Sequence, residues 1–479
     1  MLVGAHVTVH RSTSVIQTER TQMKTNQFGL ILLAMTVGLW LTSCDSKLNV
    51  NPVNTVATGQ ALSTPADLNA LLIGAYDSMG DADLYGGNLQ RDAELLGDNG
   101  EVEWSGTFTG PREVYTKRLL VTNDQANITW TDAYRTINIC NTVLANLDLA
   151  LTANRPNVEA QAKFIRASMY FELVRLFARA WGDGDAATNP GVPVVTTPTT
   201  VLDASSNIPR STVSAVYDQV IKDLTEAEAA LPLTDATYNF LATKGAAAAQ
   251  LSRVYLQKAD YPNAANAANR VITGKKYQLV SIEEAFDRRI NINGANTDET
   301  IFAVQITDQD GANSLNTFYG ATDVGGRGDI NVTDAHIALY GTNDARKQLF
   351  YEDGDGLIRT IKFRNQFGNI QVLRLAEMYL TRAEANFRVG TSVGAAPLED
   401  INLIRSRAGA APLTTAQLTV NAILRERRLE LAFEGTLIHD LKRTRQNVGT
   451  LPYNSPRLIF PIPLREITTN PALVQNAGY

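Results

Sequence analysis

Apolar side chains recur at helical spacing along most of the chain. In Pro65–Met79 the leucines and Met79 fall on one face, and Ser63 or Thr64 is a candidate N-cap. The same spacing predicts further helices at 125–149, 159–181, 213–231, 242–259, 262–273, 371–388, 397–408 and 421–434. We expect Gly182 to end the helix at 159–181.

The pattern changes between residues 300 and 370. Short alternating runs such as 300–305 stand among many Gly, Asn and Asp residues, which is typical of short strands and loops. Asp353-Gly354-Asp355-Gly356 contains a fragment of a calcium-loop pattern without its closing Glu, so a hairpin turn is the better interpretation.

One apolar run, 28–41, is too short to span a bilayer as a helix, which needs ~20 residues. It follows Lys24 and ends in Leu41-Thr42-Ser43-Cys44, an ending that looks like a bacterial lipobox. We therefore expect 1–22 to be an over-called extension, 23–43 a lipoprotein signal peptide, and 44–479 a mature chain lipidated at Cys44. The alternative is a buried helix with a chance cysteine.

Composition narrows the function. The 479 residues are 44% hydrophobic, as in a globular protein, and carry a formal net charge of −6. An acidic chain lacks the basic footprint of a nucleic-acid-binding protein, so we expect no nucleic-acid partner. Two Cys and four His leave too few ligands for a zinc centre, and we expect no metal and no cofactor.

Several residues suggest chemistry but have simpler structural explanations. Cys140 lies on the apolar face of the helix at 125–149, where a small buried hydrophobe explains it. His439 could transfer protons, although a structural histidine is favoured beside a helix rich in Arg and Glu. The charged run 425–434 has the spacing of ion pairs within and between helices. No paired carboxylates stand out, so no catalytic residue is assigned.

Two helical segments carry a repeat signal. Leu251, Ser252, Tyr255, Ala264 and Ala268 fall at the offsets of a tetratricopeptide helix-turn-helix. A similar pattern begins near residue 375, and copies spaced so irregularly predict a few stacked helical hairpins as a scaffold.

These segments together resemble the SusD/RagB family of surface nutrient-binding lipoproteins, over essentially the whole of 44–479. The resemblance opens with Cys44–Pro52. It continues through 68–76, 162–177, 191–194, 209–210, 216–217, 223–224, 229–232, 242–246, 373–380, 401–409, 425–435, 461–463 and 470–479. One position departs from the family, because His439 stands where an aromatic residue is common.

The resemblance implies a mostly α, SusD-like fold: four tetratricopeptide-like helical pairs with a variable, loop-rich region at about 275–370. It also implies capture of an oligosaccharide or other nutrient without catalysis, in complex with a SusC-like TonB-dependent transporter. The protein would be lipid-anchored in the outer membrane and face outwards. Two other classes remain open: a glycan-degrading surface enzyme and a tetratricopeptide-type protein–protein adaptor.

Candidate ligand-binding residues come from two stretches outside the helical pairs. A sugar site needs aromatic faces, together with carboxylates, amides and arginines for hydroxyl groups. The first stretch, in the loop expected after the first helix, offers Arg91, Asp98, Asn99 and Trp104. The second stretch, 308–320, offers Asn313, Phe318 and Tyr319. For Trp104, anchoring of a loop against the scaffold explains the residue equally well.

The lipobox makes a testable prediction. Cys44→Ala removes the acceptor thiol, so the precursor should lose its lipid and leave the membrane fraction. Metabolic labelling with a radioactive or clickable fatty acid, followed by fractionation, measures both effects. Lipid label that persists in the Cys44→Ala protein would contradict the assignment.

Overall fold

The computed structural model describes residues 62–201, 203–234, 240–289, 293–309 and 311–479. The predicted extension at 1–22, the signal at 23–43 and Cys44 lie outside these residues. None of the helices in the described part of the chain has the length and apolarity that a bilayer crossing requires.

Helices dominate the described chain, as the sequence predicts. They are α1 (Pro65–Met79), α2 (Asn88–Gly97), α3 (Thr109–Thr116), α4 (Asp124–Ala145), α5 (Arg155–Phe177), α6 (Val213–Ala230), α7 (Lys244–Gln257), α8 (Tyr261–Thr273), α9 (Ser314–Tyr319), α10 (Asp334–Ile337), α11 (Leu375–Val389), α12 (Pro397–Arg407), α13 (Val420–Glu430), α14 (Leu437–Arg443) and α15 (Leu464–Thr469). The strands are β1 (Val102–Trp104), β2 (Thr300–Val304), β3 (Ile330–Val332), β4 (Phe350–Glu352), β5 (Ile358–Thr360) and β6 (Ile370–Arg374).

The long helices pack in sequence order and form the scaffold. Helix α1 begins with a capping box in which Thr64 and Asp67 exchange hydrogen bonds at 2.9 and 3.2 Å. Helix α4 packs against α5, α5 against α6, α6 against α7 and α7 against α8, and α8 then packs on α11. This succession of neighbouring helices confirms the predicted mostly α fold with helical pairs as its scaffold.

Two small antiparallel sheets lie in the loop-rich region and its surroundings. One has the strand order β1-β3-β5-β4, and the other pairs β2 with β6. Strands β4 and β5 flank the turn at 353–357, with Glu352 opposite Ile358, so the predicted hairpin turn is confirmed. Strand β1 pairs with β3, and Trp104 lies opposite Ile330, which is 226 positions further along the chain. This pairing joins the segment after α2 to the loop-rich region.

Several predicted helix boundaries are wrong by four residues: α4 ends at Ala145 and not at 149, α5 begins at Arg155 and not at 159, and α13 ends at Glu430 and not at 434. Helix α5 ends at Phe177 and not before Gly182, because the Leu176 and Phe177 carbonyls accept hydrogen bonds from Phe460 and the Asn476 side chain in the C-terminal tail. The segment 371–374 is strand β6 and not the start of a helix, since it pairs with β2.

The segment expected as a loop after the first helix contains helix α2. All ten residues of α2 are buried, including Arg91, Asp92 and Glu94. Leu89, Ala93 and Leu96 do recur at helical spacing, but the segment is short, and its polar face is buried as well as its apolar face. Arg91 therefore lies on a buried helix and not on a loop.

The charged run 425–434 pairs with other elements, as predicted for ion pairs between helices. Glu430 on α13 binds Arg374 at 2.7 Å, Arg346 at 3.3 Å and Arg407. Glu434 binds Arg374 and Lys362, each at 2.6 Å. Among the described ion pairs none joins two residues of α13, so the expected pairing within the helix is wrong.

These charges are buried, and each is compensated by a partner. Burial alone would raise the pKa of Glu430, but Arg407, Arg374 and Arg346 outweigh it and hold the pKa well below its ordinary value. Glu299 also binds Arg374, at 2.8 Å, so one set of ion pairs ties α13 to β6, to α12 and to the segment before β2. We call this set the Glu430 network.

The Glu430 network predicts a large loss of stability when Glu430 is removed. Glu430→Ala leaves three buried guanidinium groups short of a partner, which should cost about 3–5 kcal/mol of unfolding free energy. Urea unfolding followed by circular dichroism measures the loss. Glu283→Ala removes an exposed partner of Arg288 and serves as the matched control, with an expected change below about 1 kcal/mol. A comparable effect of the two substitutions would contradict the assignment.

Candidate functional site

The β1–β3 pairing brings the two predicted ligand-binding stretches side by side. Trp104 ends β1, and Phe318 lies on α9, just before β3. The two rings contact each other, with centroids 5.9 Å apart and planes inclined at 37°. Residues separated by more than two hundred positions therefore form one aromatic cluster.

Phe108 is the exposed member of this cluster. Its ring meets Phe318 edge-on at 6.2 Å and is 46% exposed. The Arg327 guanidinium carbon lies 4.5 Å from the Phe108 ring centroid, and Asp329 binds Arg327 at 3.0 Å. We define the aromatic patch as Arg91, Trp104, Phe108, Phe318, Arg327 and Asp329.

Arg91 is a buried member of the patch and lies beneath the Phe318 ring. The residue is 1% exposed, and its guanidinium group donates to the side chains of Asp92, Asn88 and Gln125 at 2.7–2.8 Å. Its guanidinium carbon lies 4.2 Å from the Phe318 ring centroid. Because these donors are already engaged, Arg91 fixes the Phe318 ring through a cation–π contact and offers little to a ligand.

Trp104 packs tightly and carries an unpaired donor. Only 8% of the residue is exposed, and the buried Nε1–H group has no acceptor among the described residues. A Cβ at Gly106 would come within 2.6 Å of the Trp104 ring and 2.7 Å of the Asp329 carboxylate, so glycine permits the close approach. A buried donor is costly without a partner, and a water or a ligand hydroxyl group could satisfy it.

Asp98 and Asn99 form the turn between α2 and β1. The Asp98 carboxylate accepts hydrogen bonds from the backbone N–H groups of 100–102 at 2.8–3.0 Å, which organises the turn. Asn99 is exposed and borders an open groove of about 410 Å³ that Lys117 and Arg457 also line. Asn99 is therefore the only one of the seven predicted ligand residues that is exposed.

Asn313 and Tyr319 lie at the two ends of α9. The Asn313 Oδ1 atom caps the helix by accepting two backbone N–H groups at 2.8 and 3.1 Å. Tyr319 is fully buried, and its ring lies 5.5 Å from both Phe363 and Phe433. Both residues hold the scaffold beneath the patch, and their role as ligand contacts stays a prediction.

Sequence reasoning missed Phe108 and Arg327. Phe108 stands four positions after Trp104 and directly before α3. An aromatic residue so close to a candidate ligand-binding tryptophan was the sequence feature that could have identified it. Arg327 lies in the glycine-rich stretch 325–328, which has no phosphate-loop spacing and so gave no reason to select it. Only the fold places the Arg327 guanidinium over the Phe108 ring.

The groups that suggest catalysis have structural surroundings. Cys140 is buried, and burial raises the pKa of its thiol to about 12. His439 is also buried, and burial followed by nearby Arg175 and Lys442 lowers its pKa well below the ordinary value. Both observations fit the structural interpretations made from the sequence.

One acidic cluster has the geometry to hold a cation. The carboxylates of Asp81, Asp83 and Asp132 offer oxygens within 4.8 Å of one another. Arg135 pairs with Asp81 at 3.6 Å and with Asp132 at 3.4 Å, and the Asn88 amide donates to Asp83 at 2.7 Å. These partners already compensate the cluster, so we assign it no metal.

The chain matches two family models. The model described as starch-binding, associating with outer membrane, covers 45–256, and the SusD family model covers 358–457. SusD-like protein P2 of Formosa agariphila is 27% identical across 95% of this chain and 100% of its own length.

Solved structures agree with this result. A SusD superfamily protein from Bacteroides thetaiotaomicron superposes with a TM-score of 0.76 and 26% identity, covering 86% of this chain and 100% of its own. A candidate sugar-binding protein from Bacteroides vulgatus gives a TM-score of 0.78 and 25% identity, covering 88% of this chain and 99% of its own.

Proposed function

Because the chain belongs to the SusD/RagB family, we propose that it captures an oligosaccharide at the aromatic patch and delivers it to a SusC-like TonB-dependent transporter. The family description names starch binding and the outer membrane, and a similar solved structure is a candidate sugar-binding protein. Lipidation at Cys44 would hold the protein on the outer face of that membrane.

The half-exposed Phe108 ring is the observation that carries the proposal. Its neighbours Phe318 and Arg327 restrict its movement, so binding a ligand would cost little additional ordering of the side chain. An apolar sugar face can lie against the ring, while the Arg327 N–H groups are placed to donate to sugar hydroxyl groups. A shallow patch of this kind suits one segment of a longer oligosaccharide.

Binding without catalysis is the interpretation that the patch favours. Hydrolysis by the usual route requires two carboxylates on either side of the scissile bond. The patch as defined contains a single acidic residue, Asp329, and Arg327 pairs with it. An aromatic ring beside an arginine is also common at protein–protein interfaces, so the binding measurement below is what separates the sugar-binding function from the adaptor.

Phe108→Ala should weaken oligosaccharide binding about fivefold, because one aromatic contact contributes about 1 kcal/mol. Isothermal titration against a panel of soluble oligosaccharides, with maltoheptaose as the starch probe, measures the affinity. Leu403→Ala is the matched control, since Leu403 is a similarly exposed apolar residue on α12.

Three outcomes separate the candidate functions. Weakened binding in Phe108→Ala, with normal binding in Leu403→Ala, supports the patch. Shortened oligosaccharides in the titrated mixtures, detected by chromatography, would favour the glycan-degrading enzyme. An absence of affinity for every oligosaccharide would favour the adaptor.

Transporter binding is a separate prediction. We expect affinity purification from native membranes in mild detergent to yield a TonB-dependent β-barrel together with this protein. We expect the helical pairs to form the protein-facing surface, because stacked helices give a rigid, extended interface. The Phe108→Ala protein should therefore retain the transporter. Recovery of the wild-type protein without any β-barrel would contradict the proposed complex.

A further inference from the structure

A pocket of about 530 Å³ lies next to α2 and β1. None of the residues that define the aromatic patch lines this pocket. Its volume falls within the range of small-molecule sites, which is about 300–1,000 Å³. The walls are largely apolar and include Leu339, Leu424, Leu429, Leu431, Phe433 and Leu437. An apolar ligand body would therefore be well accommodated.

Glu94 supplies this pocket with a carboxylate oxygen that accepts no hydrogen bond from the described part of the chain. Its Oε1 atom accepts backbone N–H groups from 435–437 at 2.8–3.3 Å, whereas Oε2 has no donor among the described residues. The residue is 4% exposed and lines the pocket. Burial raises the pKa of its carboxyl group to about 7, against the effect of the three N–H donors, which lower it.

The backbone fixes Glu94 in this position. Gly435 has φ +79°, in the left-handed region, and a Cβ there would come within 2.6 Å of the Gln90 backbone on α2. The close approach of this turn to α2 aligns the three N–H groups with a single carboxylate oxygen. The second oxygen is left free for a ligand.

The other acidic groups in the pocket are already compensated. Glu101 binds His336 at 2.8 Å and also binds Arg428. Asp440 binds Arg427 and Arg443, each at 2.7 Å.

Asp98 and Arg425, which also line the pocket, have hydrogen-bond partners of their own. The Asp98 carboxylate accepts the backbone N–H groups of 100–102, and Arg425 donates to the Leu339 carbonyl at 2.8 Å. Arg428 compensates Glu101, and Arg427 and Arg443 compensate Asp440, so among the described lining residues the uncompensated negative charge is concentrated at Glu94. Charge complementarity therefore favours a positively charged ligand, and Glu94 is the carboxylate with a free oxygen.

We propose that this pocket binds a primary amine on an apolar alkyl or aryl body, with the ammonium group donating to the free oxygen of Glu94. This ligand class goes beyond the proposed glycan function and uses a different part of the molecule. Charge-assisted hydrogen bonds are about twice as strong as neutral ones, so the charge on the amine should dominate selectivity.

Three matched probes test the proposal: 4-phenylbutylamine, 4-phenylbutanol and 4-phenylbutyrate. At pH 8 the Glu94 carboxyl group is largely ionised, and isothermal titration should show the amine binding about tenfold more tightly than the alcohol. The carboxylate should bind weakest. Equal affinity for amine and alcohol, or no binding of the amine, would overturn the proposal.

Glu94→Gln is the decisive variant, because its amide oxygen can still accept the N–H groups of 435–437 while the charge is lost. The preference for the amine over the alcohol should fall below about twofold. An unchanged preference would overturn the proposal. If Glu94→Gln does not fold, Leu424→Trp narrows the pocket from its wall and should weaken binding of the amine and the alcohol alike. Unchanged affinities in that variant would exclude the pocket.

The proposed sugar site and the proposed amine site can be tested separately. Phe108→Ala should leave amine binding unchanged, and Glu94→Gln should leave maltoheptaose binding unchanged. If Phe108→Ala weakens amine binding as much as maltoheptaose binding, the amine occupies the patch and the proposed pocket site is wrong.

Discussion

The Glu430 network is the interaction on which the arrangement of the C-terminal half depends. Burying a charge costs several kcal/mol unless a well-placed partner compensates it, so the charges of Glu299, Arg374 and Glu430 must meet their partners in the folded state. These partners come from β6, α12, α13 and the segment before β2. The network therefore fixes where the chain leaves α13, and it sets the position of Phe433 and Gly435.

From there the constraint extends to both binding surfaces. Phe433 packs on Tyr319, which lies at the end of α9 next to Phe318 of the aromatic patch. Gly435 directs its N–H group to Glu94 on α2, the same helix that carries Arg91 beneath Phe318. The buried Glu430 network thus supports the exposed Phe108 ring through helices α2 and α9.

Much of the fold could be predicted from the sequence, because most long helices bury one face. Helix α1 and the hairpin turn at 353–357 appear where the pattern predicts them. Helix α2 was not predicted, although Leu89, Ala93 and Leu96 have helical spacing. The sequence does not show that its polar residues are buried, because Arg91 reaches Gln125 and Glu94 reaches the turn at 435–437 only in the folded chain. The same reason limits prediction of the site. Sequence reasoning identified Trp104 and Phe318, whereas Phe108 and Arg327 gain their meaning only when β1 pairs with β3.

A crystal structure with a bound oligosaccharide would show whether the exposed Phe108 ring receives a sugar. We expect a sugar ring stacked on the open face of Phe108, with one hydroxyl group within hydrogen-bonding distance of Arg327. An oligosaccharide bound elsewhere on the molecule, with Phe108 left in solvent, would show that the aromatic patch is not the sugar site.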